Sequence, residues 1–163
     1  MGVKTRMKTI KFILDKFLTY VISILLVVMT SLVLWQVFTR YVMNNPSTFT
    51  QELVIIILIW TSFLGAAYAF GTRQHMALIF LKGKVKGHSK LILSVFIDVV
   101  ILLFAVVILI IGGNQITMGV AGIKTPILAI PKGYIYSSTI VSGVLIVFYQ
   151  FVNIFEDFRI KDK

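Results

Sequence analysis

Four blocks of the sequence are each long and apolar enough to cross a lipid bilayer: Phe17–Phe38, Leu53–Phe70, Leu91–Ile111 and Tyr134–Phe155. The hydrocarbon core of a bilayer is about 30 Å thick, so a helix needs about 20 mainly apolar residues to cross it. All but the third block lack any Asp, Glu, Lys, Arg or His. The second is the shortest and would cross with little tilt or borrow residues from its flanks. Transmembrane strands would be shorter and would alternate polar with apolar residues, which these blocks do not. Composition agrees, with 58% apolar residues, 13% charged residues and a mean hydropathy of +0.97. Soluble domains have about 45–50% and about 25%, and one of 163 residues could not bury the surplus. The sequence predicts an all-α integral membrane protein, a single membrane domain over residues 1–163 with four transmembrane helices.

The formal charge of +10 does not point to nucleic acid, because the basic residues lie in short segments between apolar blocks. Lys4, Arg6, Lys8, Lys11 and Lys16 precede the first span. Arg73, Lys82, Lys84, Lys86 and Lys90 lie between spans two and three, and Arg159, Lys161 and Lys163 end the chain. The opposite side holds only Arg40, Lys124 and Lys132. Lys and Arg concentrate on the cytoplasmic side of membrane proteins, so this asymmetry predicts both termini in the cytoplasm.

The basic N-terminus followed by an apolar run resembles a signal peptide. Yet Phe17–Phe38 exceeds a signal's apolar region of about 7–15 residues and lacks a small-residue cleavage site, so it is read as an uncleaved span. Ahead of it, Val3, Met7, Ile10, Leu14 and Phe17 recur at spacings of four and three, forming one helical stripe with Lys4, Lys8 and Lys11 beside it. Residues 1–16 are therefore expected to form an interfacial amphipathic helix whose lysines face anionic headgroups. A frayed basic tail is the alternative. Met76–Leu81 with Lys82, Lys84 and Lys86 repeats the pattern more weakly, interrupted by glycines. Residues 156–163 are read as a cytoplasmic tail.

The two outer loops differ. Arg40–Glu52 contains the turn-forming cluster Asn44, Asn45, Pro46, Ser47 and Thr48. Thr48 or Thr50 is a candidate cap for span two, with Glu52 in its first turn. Gly112–Gly133 is rich in glycine and apolar residues, broken by Pro126 and Pro131, and is expected to lie on the membrane surface or a partner.

Catalytic patterns are missing. There is no cysteine, and His75 and His88 have neither metal-ligand spacing nor neighbouring carboxylates. No enzyme activity, metal or cofactor is expected. Asp98 is the one ionisable residue well inside a span, about 10 Å below the inner surface at 1.5 Å per residue. A carboxylate there must face protein and find a partner, and Ser23, Tyr149 and Gln150 lie at similar depth. A hydrogen-bonded packing role is preferred over a coupling-ion site. Ser62, Gly65, Ala66 and Ala69 give span two a small-residue face suited to close helix approach, within this chain or with another. Trp35 and Tyr41 read as belt aromatics at the outer boundary, and Trp60 as a packing residue. Arg40 and Glu52 flank the first outer loop as a weak pair, a clip or a partner contact.

These residues also carry a family resemblance. Trp35-Gln36-Val37-Phe38-Thr39-Arg40-Tyr41-Val42, then Asn45-Pro46, Thr50-Gln51-Glu52, Trp60, Phe63-Leu64-Gly65-Ala66-Ala67 and His75, with Pro131 and Gly133 more weakly, resemble the small membrane subunit of TRAP (tripartite ATP-independent periplasmic) transporters. Phe49 stands where relatives often have Trp, and Gln51 where they often have a second acidic residue. The resemblance implies a non-catalytic scaffold subunit in the bacterial inner membrane. Its partners would be a large multi-span subunit that moves substrate and sodium by an elevator motion, and a periplasmic substrate-binding protein. The cargo implied is an organic acid such as sialic acid or a C4-dicarboxylate. Arg40, Glu52, Ser62, Gly65, Ala69 and His75 become candidate partner contacts. A self-sufficient small transporter or channel is the rival reading, although Asp98 and a few Ser, Thr and Gln are sparse for an ion pathway.

Overall fold

The computed structural model describes residues 2–72 and 88–160, with side chains described for 9–72 and 93–154. His75 and the Met76–Lys86 stretch fall outside these residues, as do the side chains of Lys4 and Lys8. Helix α1 runs Gly2–Tyr41 and α2 Thr48–Gly71. Helix α3, His88–Phe104, continues through a π-helical segment Ala105–Gly112 into α4, Gly113–Gly119. Helix α5 runs Lys132–Ile160. Four stretches are long and apolar enough to cross a membrane: Thr9–Tyr41, Thr48–Gly71, Leu93–Gly119 and Lys132–Ile154. Each overlaps one of the four predicted spans.

Helix α1 has 40 residues, about 60 Å at 1.5 Å each, twice the hydrocarbon thickness. The segment preceding span one is thus helical and continuous with it. Polar groups on α1 are satisfied locally, as lipid requires: Thr19, Thr30 and Ser31 donate to Asp15 O, Leu26 O and Val27 O at 2.8–2.9 Å. Asn44 then takes a left-handed conformation with φ 51°, and Asn45 N–H bonds Thr39 O at 3.1 Å. This wide closure satisfies a terminal carbonyl and turns the chain. Ser47, rather than Thr48 or Thr50, occupies the N-cap position of α2. Thr50 folds back on it, donating to Ser47 O at 2.8 Å. Glu52 falls beyond the first turn, which holds no acid.

The span-three helix extends to Gly119 rather than ending near Ile111. Gly112 and Gly113 look like loop residues in the sequence, yet inside a bilayer the backbone must keep its internal bonds, and Gly113 serves contact instead. A Cβ added there would meet Thr139 Cβ of α5 at 3.2 Å. One turn deeper, a Cβ on Gly143 of α5 would meet Leu109 Cβ at 2.9 Å and Ile110 Cγ1 at 2.8 Å. The π-helical turns lie against this glycine.

Helix α5 is the centre of the molecule. Of its most apolar window 44% is buried, against 6% for span one. Its close backbone approaches are to α2 on one side and to α3, the π segment and α4 on the other, while α1 lies mainly on α2. One core cluster joins Leu18, Leu64 and Tyr149 of α1, α2 and α5. The other joins Ala67, Ala105, Leu109 and Ile146 of α2, the π segment and α5. Spans one and three occupy the two edges, leaving large apolar side chains such as Phe17, Val27, Leu34, Leu103 and Ile108 exposed. In a bilayer, lipid covers such surface at no cost.

Candidate functional site: polar contacts at the two ends of the bundle

The end of the bundle nearer the chain termini holds a polar cluster between α1, α2 and α5. Tyr149 donates its hydroxyl to Asp15 Oδ1 at 2.5 Å. One turn further along α5, Asn153 Oδ1 accepts from Lys11 Nζ at 2.8 Å, while Asn153 Nδ2 donates to Gly71 O at 3.4 Å. These contacts bring the start of α1 beside the end of α5. The ring of Tyr149 is fully buried and fits only because residue 71 lacks a side chain: a Cβ on Gly71 would lie 2.5 Å from the ring. Lys11 was expected to face headgroups, but its ammonium turns inward onto Asn153. Asp15 carries no sequence signal, since it stands alone within a basic segment.

Asp98 and Ser94 of α3 are buried, at 2% and 5% exposure, and both are partnered. They share one face, four residues apart. Packing of Gly143 on Leu109 and of Gly113 on Thr139 sets the antiparallel register of span three against α5. Continued toward the end nearer the chain termini, that register places Asp98 level with the turn of α5 holding Gln150 and Asn153. No cation stands near Asp98 along the chain, whereas the fold brings Lys11 to that turn through its bond to Asn153. Gln150 is 1% exposed, and its Oε1 has no hydrogen-bond partner among the described residues. Among those residues no group of His, Cys, Asp and Glu could hold a metal ion.

At mid-membrane depth, α2 presents two faces. Thr61, Leu64, Ala67 and Gly71 are buried within the chain. Ser142 of α5 reaches across to donate to Phe63 O at 2.8 Å. Ser62 instead is exposed, Ala69 is half-buried, and a Cβ on Gly65 would meet nothing within 4 Å. The small-residue face read from the sequence is therefore not the one this chain packs on itself. Trp60 joins the α1–α2–α5 core as expected.

The opposite end of the bundle is organised by Glu52. Its Oε2 accepts the backbone N–H of Leu128 at 2.7 Å, 76 residues away in sequence. Leu128 belongs to a short hairpin closed by Thr125 N–H to Ile130 O at 2.9 Å and Lys132 N–H to Ile123 O at 2.8 Å. Thr125 Oγ1, buried, accepts Ile130 N–H at 3.0 Å. Ala129 holds φ 53°, a left-handed conformation that costs a residue with a Cβ about 1–3 kcal/mol and persists only where surrounding contacts fix it. The segment between Gly119 and Lys132 is thus a tethered hairpin rather than a loose loop. Arg40 is exposed and, among the described residues, makes no ion pair with Glu52. Trp35 and Tyr41 are exposed at the same end of α1, with Trp35 against Phe38 at a ring separation of 5.9 Å.

Comparison with known proteins agrees with this architecture. Residues 29–160 match the family described as Tripartite ATP-independent periplasmic transporters, DctQ component. A protein of Haemophilus influenzae designated a TRAP transporter small permease protein is 27% identical over 140 residues, covering 86% of each chain. The sialic acid TRAP transporter small permease protein SiaQ of Vibrio cholerae serotype O1 is 29% identical over 133 residues, covering 80% of this chain and 75% of that one. With its four apolar helices, the chain is a multi-pass membrane protein that belongs to the DctQ-component family of tripartite ATP-independent periplasmic transporters.

Proposed function

We propose that this chain is the non-catalytic scaffold subunit of a sodium-driven TRAP transporter importing an organic acid of the sialic acid or C4-dicarboxylate class. It lies in the bacterial inner membrane with both termini cytoplasmic, the arrangement favoured by its basic residues. It packs on the large membrane subunit and helps dock the periplasmic substrate-binding protein. The basic residues ahead of span one suit the anionic headgroups of the inner leaflet.

The observation that carries the scaffold reading is where the polar groups go. Tyr149 is bonded to Asp15, Asn153 to Lys11 and Gly71, and Ser142 to Phe63, all within the chain. A transport path needs polar groups facing a cavity, whereas these groups join helices to one another. The outward face at Ser62, Gly65 and Ala69 suits a helix of the large subunit, because small residues let backbones approach closely in lipid. The cargo class rests on the resemblance and on the name of the Vibrio relative. Co-purification tests the reading. Tagged chain should bring down a large multi-span subunit in stoichiometric amount. A chain that purifies alone and binds a labelled organic acid would instead be a self-sufficient carrier.

A further inference from the structure

The outer hairpin combines features that the membrane-embedded role leaves unused. Ile123 and Ile127 are about half exposed, at 49% and 51%, on a segment held by three internal hydrogen bonds and by Glu52. Lys124 is exposed and stands opposite Pro131, beside the half-buried Lys132. Among the described residues neither lysine has an acidic partner, and the one carboxylate nearby, Glu52, is committed to Leu128 N–H. The result is a pre-shaped apolar tip with two cations at its base. Lateral packing in the membrane uses the faces of the spans, whereas this hairpin caps the end of the bundle between α4 and α5.

We propose that the Ile123–Pro131 hairpin is a landing surface for the soluble substrate-binding component, which meets it with an acidic rim around an apolar contact, and that Glu52 is the positioning residue that holds the landing shape. This rests on the transporter-subunit reading and on its orientation. Charge complementarity selects the soluble partner. A protein that arrives by diffusion gains association rate from long-range attraction, and that gain is screened by salt. A rigid tip also avoids the ordering cost that a mobile loop incurs on binding. The Glu52 tether thus places an acid of the second span in service of a surface 76 residues away.

The test uses the complex of this chain with its large subunit in nanodiscs, and purified binding protein loaded with substrate. Association is followed by biolayer interferometry from low to high salt. Lys124→Glu with Lys132→Glu should slow association about tenfold at low salt and flatten its salt dependence, with the large subunit retained. Glu52→Ala should weaken docking, while Glu52→Gln, whose amide oxygen still accepts Leu128 N–H, should largely preserve it. Wild-type rates and salt slope in the double lysine variant would overturn the proposal. So would loss of the large subunit from it, which marks a subunit interface, or an effect that follows anionic lipid content, which marks a headgroup contact. If the wild-type complex itself binds no such protein, the transporter-subunit reading fails instead.

Discussion

Tyr149→Phe removes one hydroxyl and nothing else from the α1–α2–α5 polar cluster, leaving Asp15 without its 2.5 Å donor. A hydrogen bond to a carboxylate contributes about 1.5–3 kcal/mol, so the variant should lower the thermal midpoint of the detergent-solubilised protein, with assembly largely kept. An unchanged midpoint would mean that the bond adds nothing to holding α1 on α5. Gln150 makes the opposite case. Its buried Oε1 has no partner among the described residues, and replacing an unsatisfied polar group by an apolar one of similar shape is neutral or stabilising. Gln150→Met should therefore match or exceed the wild-type midpoint, and a large loss would reveal a partner for that amide in the assembled state. Residue-scale legibility was uneven for a physical reason. Burial of Asp98 followed from the cost of a carboxylate in lipid, which any sequence reading can apply. The pairing of Asp15 with Tyr149 and of Lys11 with Asn153 depends on which helix returns beside α1, and periodicity records a face without naming its neighbour.

At the scale of elements, the spans were readable because each carries its own apolar length, and their ends were less so. Gly112 and Gly113 are strong loop signals in water, but in span three their missing side chains admit α5. The π-helical Ala105–Gly112 has no counterpart in apolar periodicity, since nearly every residue there is apolar. Its contact with Gly143 gives a direct test. A Cβ at 143 would sit 2.8 Å from Ile110 Cγ1 and 2.9 Å from Leu109 Cβ, so Gly143→Ala should destabilise by about 1–3 kcal/mol through overpacking. Thermal melts should show partial recovery on adding Ile110→Val if the clash with that side chain is the cause. The small-residue stripe of α2 predicts a contrasting result. Nothing stands within 4 Å of a Cβ on Gly65, so Gly65→Leu should leave the isolated chain's midpoint unchanged yet reduce recovery of the large subunit in pull-downs. Equal recovery would remove this face from the subunit contact.

Across the whole molecule, four spans arranged with α5 central and spans one and three at the edges make a broad, open layer. That shape suits a part that enlarges a larger membrane body. Reporters fused after Lys163 and inserted within residues 122–124 should read opposite sides of the membrane, with the C-terminal one cytoplasmic. Readings from the same side would contradict four crossings. The family was legible in the sequence from the Trp35–His75 motifs, whereas the tether from Glu52 of α2 to Leu128 of the hairpin was not, because the two are 76 residues apart and joined only by the fold. The central claim is that the chain supports transport without performing it. Uptake of radiolabelled organic acid into proteoliposomes under an inward sodium gradient tests this most directly. The chain alone should show no uptake above empty liposomes, and the complete three-part system should show sodium-dependent uptake that disappears when this chain is omitted. Gradient-driven uptake by the chain alone would contradict the account.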